Sequence, residues 1–323
     1  MQFSSLDHAI LATISFFDAL SYPLTIPEIE EFLLCYASAT KTIHIIDTLN
    51  SLSSQGHIQS SHGMYALQGR QGIIQERLAK YAPCEKKYRI ALGISQLLAH
   101  IPFVRMICVV NSLAISNAHQ ESDIDLFIVT KKKHIWLTRF FVVTVLDLMK
   151  KRPKGTMRKN MICTCFFASE DALDFSALQL SPLSDDGIPD LYLAWWVSRF
   201  VPIYDKHGYA EELFQANAWA KKIFYFRRLY LTTKEHTVSL NFFSKFIKCI
   251  SEFLIACMGP LSESFARALQ KRILPDSLAS LANRDTRVVM NDQILKFHIR
   301  DMRDKIRNTF RDTCKTYGIP FLR

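Results

Sequence analysis

The sequence predicts an α+β fold, and three observations carry that prediction. Apolar residues recur at helical spacing over residues 5–53 and then give way to a short hairpin pattern. Two apolar runs near the middle, Ile101–Val110 and Ile124–Val129, flank a polar loop and read as strands. Beyond Pro189 helical spacing returns and dominates. The boundaries that follow are a winged helix-turn-helix at 1–70, a helical linker at 71–100, a sheet-based core at 101–188 and a mainly helical C-terminal region at 189–323.

In the N-terminal part, Leu6, Ile10, Leu11, Ile14, Phe17 and Leu20 mark the first helix, which Ser21–Thr25 interrupts. Pro27 suits the first turn of a second helix, and Glu28, Glu30 and Glu31 favour its N-terminal end. A third helix over 40–53 carries Ile43, Ile46, Leu49 and Leu52, and Gly56 ends it. Residues 57–61, a His62-Gly63 turn and residues 64–67 read as a hairpin, completing a winged helix-turn-helix. Phosphate contacts supply most DNA affinity. The third helix has one lysine and one aspartate, and the wing has histidines but no Arg or Lys, so sequence-specific DNA binding is not expected. Packing, substrate positioning and dimerisation remain open for this module. Residues 72–100 read as two helices split at Pro83.

The core stretch runs from Asn111-Ser112, at the end of one strand, to Asp123-Ile124-Asp125 at the start of the next. Strand side chains alternate, so Asp123 and Asp125 share a face while Ile124 and Leu126 point into the core. Two carboxylates side by side invite a cation, and oxygen ligands in this number suit Mg2+, which binds one or two carboxylates together with substrate phosphates. The exposed N–H groups and hydroxyl at Asn111-Ser112 suit phosphate oxygens. Residues 134–149 are strongly apolar, but the run is shorter than the roughly 20 residues a bilayer span needs. Arg139 and Asp147 also interrupt it, so a helix packed on the sheet is expected. Met161–Ala168 reads as the next strand.

This pattern resembles the polymerase-β-type nucleotidyltransferase superfamily, and the layout is similar to bacterial nucleotidyltransferase-domain proteins with an N-terminal winged helix. That signature has a strand ending in Gly-Ser, a loop, then Asp-x-Asp. Asn111 departs from it, although asparagine tolerates left-handed backbone better than most residues. The resemblance implies a mixed sheet with helices on one side, and transfer of a nucleoside monophosphate from an NTP to a hydroxyl acceptor with Mg2+ or Mn2+. Asp123 and Asp125 would be the catalytic metal ligands, and Asn111, Ser112, Ser122 and Lys131 would attend the nucleotide. It also implies a third carboxylate on a neighbouring strand, as general base or metal ligand. Met161–Ala168 contains no acid, so Glu170 at its end is the candidate, with Asp171 and Asp174 in reserve. The acceptor, whether small molecule, protein or RNA, stays open, as does a catalytically degenerate nucleotide-binding or regulatory protein on the same fold.

Apolar residues make up 49% of the chain and charged residues 22%, an ordinary globular balance. The eight cysteines are scattered, which suits reduced thiols in the cytoplasm rather than a disulfide frame. Cys163 and Cys165 read as buried thiols rather than a zinc site. No basic n-region and apolar stretch mark a signal peptide at the N-terminus. The net charge is +10, and residues 131–159 contribute nearly all of it, with ten Lys/Arg against Asp147. Such a segment either draws in phosphate-bearing ligands or lies as solvated helix ends. Pro202–Asp205 and His207-Gly208 read as a turn, and Tyr209–Ile223 as a helix. The mixed basic and aromatic run 221–230 suits either an amphipathic helix or base stacking. Helices over 238–272 broken at Gly259-Pro260, a hairpin over 287–297 and a final helix bearing Asp304 and Arg307 complete the chain.

Overall fold

The computed structural model describes residues 3, 5–36, 41–181, 187–225 and 236–320. The Ser5 hydroxyl accepts from His8 N–H at 3.3 Å and starts α1 (Leu6–Ala19), whose buried residues run almost all round it. β1 (Leu24–Thr25) leads into α2 (Ile26–Glu31), where Glu28 closes a capping box on Thr25 and Pro27 sits in the first turn. β2 (Leu33–Leu34) follows, then α3 (Thr42–Ser54), which buries Ile45, Leu49 and Leu52. β3 (Ile58–Ser61) and β4 (Met64–Leu67) form the hairpin, and β1 adds to it as an antiparallel three-stranded sheet ordered β1-β4-β3.

α4 (Gly72–Leu98) is one continuous helix with Pro83 inside, rather than two. A single missing N–H removes one hydrogen bond. The helix carries on past it because its ends are anchored on either side, by Ile73 and Ile74 on one and Ala91, Ile94 and Leu98 on the other, all buried.

β5 (Val104–Val109), α5 (Asn111–Ala114), β6 (Ile124–Thr130), α6 (Ile135–Leu148) and β7 (Ile162–Ser169) come next. α7 (Leu191–Ser198) is apolar on every side and buried accordingly. β8 (Val201–Asp205) is a strand where a turn was expected; Pro202 is tolerated because β8 lies at the sheet edge. α8 (Tyr209–Ala216) stops earlier than expected and continues as a 3-10 turn, Ala218–Lys222. β9 (Phe224–Tyr225) pairs with β2 instead of extending a helix. The rest of the basic-aromatic run, 226–230, lies outside the described residues.

α9 (Phe242–Cys257) and α10 (Pro260–Arg272) meet at Gly259 as the sequence implies, and α11 (Asp276–Ala279) is a single turn. β10 (Val288–Met290) and β11 (Ile294–Phe297) form the expected hairpin, and α12 (Arg303–Thr316) closes the chain with Arg307 on Asp304 at 2.7 Å.

The central sheet is mixed and ordered β10-β11-β7-β6-β5-β8, with only β6 and β7 parallel. It draws strands from both sides of the 188/189 boundary, because the C-terminal hairpin completes one edge and β8 the other. Helices cover both faces, not one. Cys108, Phe127, Val129 and Phe166 pack with residues of α1, α7 and α12. Ile107, Val109, Ile128 and Phe167 pack with α4 and α6. No helix is long and apolar enough to cross a membrane among the described residues.

Candidate active site at the start of β6

The turn after β5 positions the site. Asn111 adopts φ 58°, the left-handed region that asparagine tolerates better than other residues with a Cβ. Its side chain bridges two partners. It lies against Asp125 and favours the carboxylate's charged form, and its Oδ1 accepts from Trp196 Nε1 at 2.7 Å. Asn111 therefore orients the carboxylate and ties it to α7. Ser112 follows it in the short α5, and its carbonyl accepts from Asn117 N–H at 2.8 Å.

Asp123 stands just ahead of β6 and Asp125 within it, both partly buried. Asp125 has its pKa raised from the ordinary 3.8 to about 6. Burial is the main cause, hydrogen bonds from Asn111 and Cys163 oppose it, and the nearby charge of Asp123 adds to it. Asp123 accepts from Arg158 at 3.0 Å, and 59% of the Arg158 side chain is exposed, so this guanidinium is a surface counter-ion rather than a buried plug. The two carboxylates are thus near enough at the start of β6 for the charge of Asp123 to act on Asp125.

Two lysines of α4 hold the loop that leads to them. Lys80 donates to Asn117 Oδ1 at 2.9 Å, and Lys87 donates to the Ser122 carbonyl at 2.7 Å and to Asn160 Oδ1 at 3.0 Å. Ser122 turns its hydroxyl onto the His119 carbonyl at 2.8 Å, so it shapes the loop instead of facing a ligand. Lys159 reaches Glu121 at 2.6 Å. The 150–159 half of the basic segment therefore lies at the aspartate end.

Glu170 and Lys131 are not brought to the site. β6 and β7 run parallel, with Asp125 opposite Cys163 and Thr130 opposite Ser169. Five residues of strand separate those rungs, about 16 Å. Glu170 and Lys131 follow the far rung. Glu170 instead accepts from Tyr209 at 2.6 Å and from Lys132 N–H at 3.1 Å, with Arg105 3.6 Å away. Lys131 lies 5.9 Å from the centre of the Phe103 ring. Asp171 pairs with Lys132 at 3.1 Å and Asp174 caps Ser176 at 2.8 Å, so neither reserve acid reaches the pair. The cause is topological: a strand that begins beside Asp125 finishes at the opposite end of the sheet.

Cys163 occupies the rung beside Asp125. Its thiol lies 2.6 Å from that of Cys165 and is held protonated by that contact, by burial and by the charge of Asp125. A bulge follows, because Asp125 to Phe127 spans two residues while Cys163 to Phe166 spans three. Among the described residues no set of three or more His, Cys, Asp or Glu side chains has the arrangement of a metal site. The donor set is two carboxylates, a number that suits Mg2+ completed by phosphate and water.

A cleft of about 140 Å³ opens at Asn111. Tyr192 and Trp196 of α7 form one wall, and Lys296, His298, Arg300 and Arg303 the other. Trp196 stacks on Phe166 with ring centroids 5.3 Å apart. Lys296 is lowered to about 8 and His298 to about 4, each chiefly by burial. Arg303 is engaged by Asp301 at 2.6 Å and Asp190 at 3.0 Å, whereas Arg300 is exposed at the rim. Sequence reasoning missed this wall. The signal was the 287–297 hairpin, which only the pairing of β11 with β7 brings to the cleft at Asn111. A larger cavity, about 470 Å³, lies at the other end of the sheet around Lys132, Lys133 and Arg267, where Asp171 and Asp292 are already ion-paired.

No family model, curated protein or solved structure matches the chain.

Proposed function

We propose that this chain is a metal-dependent nucleotidyltransferase that moves a nucleoside monophosphate from an NTP to a hydroxyl acceptor. The observation that carries the reading is the Asp123–Asp125 pair at the start of β6, beside a left-handed Asn111 that hydrogen-bonds Asp125. Mg2+ or Mn2+ held by the two carboxylates would neutralise triphosphate charge and activate the attacking hydroxyl. Asn111 keeps Asp125 aimed, and the α5 backbone and Ser112 face the phosphates. Lys87 fixes the loop before the aspartates. Arg158 leaves Asp123 for the incoming phosphate, a small cost for so exposed a pair. On this reading the N-terminal unit is a winged helix-turn-helix that packs or positions substrate. Lys41 is the one basic residue among its exposed positions 41–44.

A second reading, a nucleotide-binding regulator on the same fold, draws on Cys163 where a third carboxylate is expected. The cleft of about 140 Å³ also favours it, being smaller than the roughly 300–1,000 Å³ of ligand pockets. One experiment separates the two. Each labelled NTP is incubated with Mg2+ or Mn2+ and total RNA, protein or metabolites. Transfer that Asp123→Ala and Asp125→Ala both abolish supports the transferase. Metal-dependent binding without transfer supports the regulator. Binding or transfer indifferent to both substitutions removes the site from either.

A further inference from the structure

α9 is amphipathic in the wrong sense for a helix of a water-bathed protein. Its polar residues face inward: Lys248 donates to the carbonyls of Ala99 and Val104 at 2.7 Å each, and Glu252 accepts from Arg105 at 2.8 Å and from Phe103 N–H at 2.9 Å. Its apolar residues face outward: Phe242 is 85% exposed, Phe243 and Phe253 68% each, and Phe246, Ile250 and Leu254 are exposed beside them. At 100° per residue these six fall on one continuous face. α10 extends the surface with Leu261 and Phe265. At 150–250 Å² per large side chain, the patch exposes on the order of 1,000 Å² of apolar surface. The largest patch on a typical monomer is about 300–600 Å².

The border of the patch says what covers it. Each helix has one acid, Glu252 on α9 and Glu263 on α10, and both are consumed inside the protein; Glu263 accepts from the N–H groups of Trp136 and Leu137 at 2.8 and 3.0 Å. The exposed charges around the patch are mostly basic: Lys245 near one end, Lys271 and Arg272 near the other, with Asp276 just beyond them, and Lys132 and Lys133 at the Gly259-Pro260 corner, where Asp171 pairs with Lys132 at 3.1 Å and Asp292 with Arg267 at 2.8 Å, leaving Lys133 without a paired acid among these. A second copy docked across a two-fold axis would set these cations against themselves. Neither helix can span a bilayer, but a Phe-rich face with a cationic rim fits the surface of an anionic one.

We propose that α9 and α10 form a membrane-docking surface that lies on an anionic lipid bilayer, with the Phe242–Leu254 face in the acyl boundary and the lysine rim at the headgroups. The inference is independent of the nucleotidyltransferase reading, since the patch is on the α4/α6 side of the sheet and Asp125 shares the α7 side with Phe127.

The test is flotation of the full chain with phosphatidylcholine vesicles containing 0 or about 30% phosphatidylglycerol. The wild type is expected to float with the anionic vesicles and to release as NaCl is raised. Phe243→Glu/Phe253→Glu is expected to bind at least ten-fold more weakly with unchanged circular dichroism, since both side chains point to solvent. Lys132→Glu/Lys133→Glu should weaken binding to anionic vesicles specifically. No flotation, or equal flotation of the Phe variant, overturns the proposal. So does light scattering that shows a wild-type dimer converted to monomer by the Phe substitutions without vesicle binding, because the face then belongs to a second copy.

Discussion

Substituting Asp125 by asparagine should make the protein more stable at neutral pH and not at acid pH. The side chain keeps its shape and an acceptor oxygen for Asn111, but loses its charge. The carboxyl titrates at about 6 in the folded protein, against an ordinary 3.8, chiefly because burial disfavours the anion. A folded-state pKa that is raised means the folded form holds the proton more tightly. Below about pH 4 both states are protonated and the charge costs nothing. Between pH 4 and 6 the unfolded chain ionises first, so stability falls as pH rises, and above 6 the deficit is constant. Two pKa units correspond to about 3 kcal/mol. Partial exposure of the group reduces this, so Asp125→Asn should gain about 1–3 kcal/mol at pH 7.5 and almost nothing at pH 4. Thermal unfolding in EDTA at the two pH values reads it, as a rise of a few degrees at pH 7.5 only. Adding Mg2+ with ATP should then stabilise the wild type and leave the variant unmoved. A variant that is less stable at both pH values would refute the reasoning, because the Asp125 anion would already be balanced by its neighbours and a cation would have nothing to relieve.

Other substitutions test the framework around the site. Glu252→Ala leaves Arg105 and the Phe103 N–H without their buried partner and should cost about 3–5 kcal/mol in urea unfolding. Lys87→Met removes the donor that ties Ser122 to Asn160 and should cost about 2 kcal/mol, with weaker nucleotide binding measured by titration calorimetry. Glu170→Gln should leave any metal-dependent transfer rate unchanged, since Glu170 lies beyond the far rung of the sheet; a loss above ten-fold would show that it acts on the aspartates after all. Trp196→Phe should cost about 1 kcal/mol through the lost hydrogen bond to Asn111.

Local chemistry was legible in the chain. Pro27 and Glu28 in the first turn of α2, the His62-Gly63 hairpin, the Gly259-Pro260 corner and the strand that carries Asp125 are each decided by neighbours in sequence. So was the apolar character of α6. What tertiary structure decided was which end of a strand meets which. Glu170 looks adjacent to the site because it follows a strand that starts there, and parallel pairing carries it about 16 Å away. The wall of Lys296, His298 and Trp196 could not be read, because β11 and α7 come from distant parts of the chain. The polar, inward face of α9 was equally hidden. Helical spacing marks Phe242–Leu254 as an amphipathic stripe but does not say whether water or protein meets it; only the pairing of Lys248 and Glu252 inside the fold turns the aromatic side outward.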